Sequence, residues 1–138
     1  MIALDTNVLV RYLVRDHAEH AEAARALFEG LTPEQPAFVC REVALEVVWV
    51  LERAYRFPRS QVASVLLELL ATDSLIFEAS DDVARAAWLY RQGGPGFSDR
   101  MVLAAAGRVE AAPLYTFDRR LSRVEGAELA GAGQEGSS

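Results

Sequence analysis

Short apolar runs alternate along the chain with longer segments whose apolar residues recur every three or four positions. The runs IALD (2–5), PAFVC (36–40), SLIFEA (74–79) and PLYTF (113–117) predict strands, being brief and continuously apolar. The intervening segments predict helices. TNVLVRYLV (6–14) has Thr6 placed to begin it, and DHAEHAEAARALFEGL (16–31) is amphipathic with Asp16 and Glu19 at capping-box spacing. REVALEVVWVLERAYRF (41–57) runs until Pro58, and RSQVASVLLELLATD (59–73) pairs with it as a hairpin. SDDVARAAWLYRQGG (80–94) ends at a glycine pair, and FSDRMVLAAAGRVEA (97–111) carries a face of small residues.

Continuously apolar strands separated by helices predict an α/β fold: a parallel central sheet flanked by helices in three layers, with an inserted helical hairpin. The chain has 138 residues, enough for one core and not two, so residues 1–129 are expected to form a single domain. Residues 130–138 form a small, polar tail without an apolar anchor, expected to be disordered. No apolar run approaches the roughly 18 residues of a membrane span. MIALDTN has no basic segment and is not a secretory signal. Cys40 is the single cysteine, which excludes an internal disulfide and fits a reducing cytoplasm.

Four acidic residues break the apolar pattern informatively. In open parallel sheets ligands collect beyond the carboxyl ends of the strands. Asp5 ends the first strand and Asp118 follows the last. Asp99 sits in the first turn of its helix, and Glu46 is the one charge in VALEVVWVL, an otherwise apolar run expected to be buried. Each has a structural explanation when taken singly: Asp5 and Asp118 as helix caps, Asp99 as a dipole partner, Glu46 as a core-edge residue reaching solvent. Taken together, oxygen donors without a nearby Cys or His favour Mg²⁺ or Mn²⁺ over Zn²⁺. Two such ions activate water and stabilise a leaving oxygen in phosphodiester cleavage.

A net charge of −6 argues against nucleic acid as a partner, but carboxylates committed to metal no longer oppose a phosphate backbone. All fourteen basic residues are Arg, the side chain suited to forked phosphate contacts. Arg11, Arg15, Arg100, Arg119, Arg120 and Arg123 lie near the acids and are candidate phosphate contacts, set against the alternative of a solvated face. Tyr12 is a candidate for stacking or for packing, and His17 with His20, lacking further ligands, reads as a solvated helix face.

The segments LDTNVLVRYLV, ALEVVWVLERAY, GFSDRMVLAAA and LYTFDRRL, in register over nearly the whole chain, resemble the PIN domain, specifically VapC-type toxins of toxin–antitoxin pairs. That resemblance implies a metal-dependent endoribonuclease with Asp5, Glu46, Asp99 and Asp118 as catalytic, Mg²⁺- or Mn²⁺-binding acids, selecting Glu46 over Glu42. It implies support from Thr116, Thr6 and Asn7, a homodimer, a VapB-like antitoxin, and an RNA substrate such as a transfer RNA or ribosomal loop. Two positions depart from the pattern. Many relatives carry an Asp where this chain has Gly96, and Arg100 follows Asp99 where a small or apolar residue is common. The competing readings are a catalytically silent PIN-like binding module and an Asp-dependent phosphatase. The phosphatase lacks the second acid expected two residues after Asp5, and the required Lys is absent.

Overall fold

The computed structural model describes residues 1–131; residues 132–138, most of the tail expected to be disordered, lie outside the described residues. The chain is α/β and divides into two compact units, Met1–Ala84 and a second from Arg85 onward.

The first unit is built on three short parallel strands, β1 (Ile2–Ala3), β2 (Ala37–Val39) and β3 (Leu75–Phe77), with β2 in the middle. Ala37 pairs with Ile2 on one side and Leu75 on the other. Parallel neighbours need long crossovers. Two helical hairpins supply them: α1 (Thr6–Leu13) with α2 (Ala18–Glu29), then α3 (Arg41–Arg53) with α4 (Arg59–Leu70). The central strand is covered on both faces, Ala37 and Val39 being buried and Phe38 half-buried, which is why the strand runs read as continuously apolar.

The α3 helix departs from expectation at Glu46. Its buried residues, Val43, Ala44, Val47, Val48 and Leu51, follow helical spacing and form one stripe. The opposite side is open: Glu46 is exposed and Trp49 is 59% exposed. Eight apolar residues in nine do not bury a helix all round, because 3.6 residues per turn bring only about half of them to the core. Glu46 is therefore not a buried carboxylate.

The α1 helix begins at Thr6 as expected, with Asp5 as its N-cap. Local capping differs elsewhere. His17 caps α2, with Nδ1 accepting from the His20 N–H at 3.2 Å, so the Asp16–Glu19 box does not form. Pro58 is the N-cap of α4, and α3 ends at Arg53, earlier than expected, with Arg56 at φ 55° in the turn between them.

The α5 helix (Ser80–Arg91) leads from the first unit into the second, which continues with α6 (Phe97–Arg108). Gly93 and Gly94, at φ 106° and 77°, end α5 in the conformation glycine tolerates best. Tyr90 is fully buried and meets Phe97 edge-on at 6.0 Å. Beyond α6, β4 (Leu114–Thr116) pairs in parallel with β5 (Ala127–Leu129) across a 3-10 turn at Leu121–Arg123. The fourth expected strand thus belongs to a second, two-stranded sheet. β5 has no counterpart in the sequence reading: AEL is too short, and too poor in branched or aromatic residues, to announce a strand. Among the described residues no helix is long and apolar enough to cross a membrane.

Candidate active site

Asp5 stands where β1 gives way to α1, the strand's carboxyl end. Its backbone is extended (φ −88°, ψ 165°), and its Oδ1 accepts from the Thr6 N–H at 2.7 Å. Capping occupies one carboxylate oxygen; no hydrogen bond holds the other among the described residues. The α1 and α3 helices pack together. Asp5 and Glu46 consequently line one cavity of about 450 Å³ with Thr6, Asn7, Arg11 and Tyr55.

The charge in this cavity is unevenly compensated. Arg11 is the cation in its wall, but its Nη1 is 2.8 Å from Asp16 Oδ1 and 3.4 Å from Tyr55 Oη. Tyr55 in turn donates to Asp16 Oδ2 at 2.8 Å. The Tyr55 hydroxyl bond, with Arg11 adding to it, holds the Asp16 carboxyl below the usual carboxylate range. The same bond raises the Tyr55 phenol above its ordinary value. Arg11 is thereby drawn toward Asp16, while Glu46 has no hydrogen bond or ion pair among the described residues.

The Thr6 side chain adds an unusual feature. Its Oγ1 is buried and has no hydrogen-bond partner among the described residues. Leaving a buried hydroxyl unpaired costs about 1–3 kcal/mol. Among the described residues no three His, Cys, Asp or Glu side chains are gathered to hold a metal ion. The first unit's donor set is thus the two carboxylates, Asp5 and Glu46, that line the cavity. That set fits Mg²⁺, which keeps several of its waters and takes one or two carboxylates, and does not fit Zn²⁺, which takes three or four nitrogen or sulfur ligands.

The other two acids belong to the second unit. Asp99 is the third residue of α6, half-buried, and complements the helix N-terminus; the N-cap, Gly96, has no side chain to offer. Asp118 follows β4. Its Oδ1 accepts from the N–H groups of Arg120 (2.9 Å) and Leu121 (3.1 Å), while its own N–H donates to Thr116 Oγ1 at 3.0 Å. Here too one oxygen caps a turn and the other carries no bond among the described residues.

The basic candidates separate by environment. Arg15 lies over the Tyr12 ring at 5.9 Å, and that ring stacks on Phe28 at 3.8 Å, so Tyr12 is a packing residue. Arg100 points into another cavity of the second unit, with Arg85 and Leu103, and its Nε is buried without a partner. One residue along a helix is a turn of about 100°, which separates Arg100 from Asp99. Arg119, Arg120 and Arg123 are exposed. His17 and His20 stack at 3.9 Å on the helix they cap. Tyr55 escaped the sequence reading because the pattern places it inside a helix expected over 41–57, whereas α3 ends at Arg53 and Tyr55 lies in the turn beyond it.

Comparison with known proteins matches this architecture. Residues 2–127 match the PIN domain model. The chain is 27% identical over 125 residues to a VapC ribonuclease of Aquifex aeolicus (strain VF5), covering 90% of this chain and 92% of that protein. The chain belongs to the PIN-domain family.

Proposed function

We propose that this PIN-domain chain is a cytoplasmic endoribonuclease toxin that depends on Mg²⁺, with Mn²⁺ as a substitute, and is restrained by a cognate VapB-like antitoxin. The observation that carries the reading is the pairing of Asp5 and Glu46, both exposed, in the wall of one cavity with the unpartnered Thr6 hydroxyl. Similarity to a VapC ribonuclease supports the substrate class. Asp5 and Glu46 would hold the cation. A divalent ion there supplies positive charge for the developing oxyanion and makes a bound water more acidic.

The protein's own part is positional. The Thr6 N–H fixes Asp5 Oδ1 and leaves the second oxygen without a hydrogen bond among the described residues. The Tyr55–Asp16 bond keeps Arg11 in the cavity wall, where its guanidinium can orient a phosphate. In the reaction, a water oxygen bonds to phosphorus, a P–O bond to ribose breaks, and the departing oxygen takes a proton. Asp99 and Asp118 stand at the family's remaining acidic positions, and the reading gives them the same role. Thr116, which accepts from the Asp118 N–H, and Asn7, in the cavity wall, are assigned as supports. Arg15, Arg100 and Arg119 remain candidate RNA contacts. The assembly is proposed as a homodimer, and the substrate as a transfer RNA or ribosomal loop.

The test is incubation of the purified chain with total RNA and Mg²⁺ or Mn²⁺, beside EDTA and an Asp5→Asn variant. Asn is as good an N-cap as Asp, so the fold should survive. Cleavage is expected only with metal and to fall at least about a hundredfold in the variant. Equal cleavage by the variant would remove Asp5 from the site. A folded chain inert with both metals would favour a catalytically silent PIN-like binding module.

A further inference from the structure

We propose that Tyr115 and Phe117 form a base-stacking platform that holds single-stranded RNA beside Asp118. The inference rests on the ribonuclease reading for its choice of ligand. Its observations are independent of that reading and lie entirely within the second unit.

Exposure alternates along this segment. Leu114 and Thr116 are half-covered, whereas Tyr115 is 54% and Phe117 84% exposed. Tyr115 lies within β4, and Phe117 lies in the bend that directly follows the strand, two residues on. Phe117 is the most exposed large apolar residue of the described chain. Isolated exposed aromatics are common; two at this spacing, followed directly by a candidate catalytic acid, are not explained by packing.

Their ring faces are also free. The other strongly exposed aromatics, Trp49 and Trp88, each lie under an arginine of their own helix: Arg53 at 5.9 Å and Arg91 at 4.6 Å. Among the described residues neither Tyr115 nor Phe117 has a stacking or cation–π partner.

The surroundings select the ligand. Arg119, Arg120 and Arg123 follow within six residues of Phe117, are exposed, and form no ion pair among the described residues. Aromatic faces interleaved with arginines suit an unpaired nucleic-acid strand, the bases stacking while the phosphates meet guanidinium groups. The three arginines beside the rings bring positive charge that a phosphate backbone complements. The platform is anchored because Thr116, between the two aromatics, accepts from the Asp118 N–H at 3.0 Å. A base stacked on Phe117 therefore sets the distance of its neighbouring phosphate from Asp118.

The experiment measures binding separately from cleavage. Full-length chain is titrated in EDTA with a fluorescent single-stranded RNA, and with the same strand carrying 2-aminopurine, whose emission is quenched by stacking. Stacking contributes about 1–3 kcal/mol per base, so Phe117→Ala and Tyr115→Ala are each expected to weaken binding by roughly 5- to 150-fold. Phe117→Trp should retain affinity and quenching, whereas Phe117→Leu, apolar but without a π face, should lose both. Duplex RNA should be nearly indifferent to all four. Unchanged affinity in the Ala variants, with wild-type chain binding the strand, would overturn the platform and leave the ribonuclease reading intact. A wild-type chain that binds no RNA strand would overturn the platform, and cleavage with Mg²⁺ decides the ribonuclease reading separately. Loss of a dimer in Phe117→Ala, seen by sedimentation with RNA affinity retained, would assign the rings to a protein interface and also refute the proposal.

Discussion

Replacing Thr6 by Val should stabilise the metal-free protein while impairing its activity, and the opposite signs make the substitution informative. Thr6 is 8% exposed, and its Oγ1 is covered without a hydrogen-bond partner among the described residues. Leaving a hydroxyl in that state costs about 1–3 kcal/mol. Val has nearly the same shape, the same branching and a similar helix propensity, so little opposes recovery of that cost. The backbone N–H that bonds Asp5 Oδ1 is untouched. A gain of at least about 1 kcal/mol in EDTA follows, or roughly 4 °C in melting temperature for a chain of this size. With saturating Mg²⁺ the wild type should gain further through binding and the variant less. RNA cleavage should fall by about 10–100-fold, the usual consequence of removing a group that supports a metal ligand. Urea and thermal melts by circular dichroism, with and without EDTA, read the stability, and cleavage of total RNA reads the activity. A variant less stable than wild type in EDTA would mean that the hydroxyl is satisfied in the folded protein.

Two further substitutions test the surroundings of the site. Tyr55→Phe removes the hydroxyl that holds Asp16 below the usual carboxylate range. A depressed carboxyl pKa contributes stability above its unfolded value, near pH 4, and loses it as pH falls through the lower folded value. The raised Tyr55 phenol contributes below about pH 10 and loses its contribution as pH climbs through the folded value. Melting temperature against pH should therefore have shallower acid and alkaline limbs in the variant, and superimposable profiles would refute the coupling. Gly96→Asp adds an acid at the α6 N-cap, three residues before Asp99. No heavy atom lies within 4 Å of the new Cβ, and φ is an ordinary −69°, so the fold should be unchanged or slightly firmer at the α6 N-terminus. Cleavage at limiting Mg²⁺ should rise, and unchanged metal dependence would show that this position does not serve the metal.

The alternation of apolar runs and helical periods made most of the fold legible. Strands flanked by helices announced the parallel order of β1, β2 and β3, because a strand covered on both faces cannot alternate polar with apolar. The α2 N-terminus was misread because two distant groups, Arg11 and Tyr55, take Asp16 from its local capping role. No window of adjacent residues contains that competition. β5 was invisible for a related reason: its strand character comes from pairing with β4, and AEL has no intrinsic preference to reveal. The PIN-domain resemblance is read from four segments in register, and residues 2–127 match the family model, so membership was legible where the individual carboxylate roles were not.

The carboxylates show why those roles were hard to assign. In the sequence, capping and metal binding look like rival explanations for Asp5 and Asp118. In the structure each spends one oxygen on backbone N–H groups and keeps the other unbonded among the described residues. A cap fixes the carboxylate's orientation, which is what a preorganised metal ligand needs, so the two roles reinforce each other. Glu46 reaches the same cavity differently. Its apolar neighbours are at home in the stripe that faces the core, and helix geometry alone puts Glu46 on the open side. No desolvation cost requires a ligand for it. Its claim to function rests instead on sharing a cavity with Asp5 while the cation there, Arg11, is engaged by Asp16. A carboxylate on an exposed face is ordinary, but two converging on one cavity repel each other until a cation joins them.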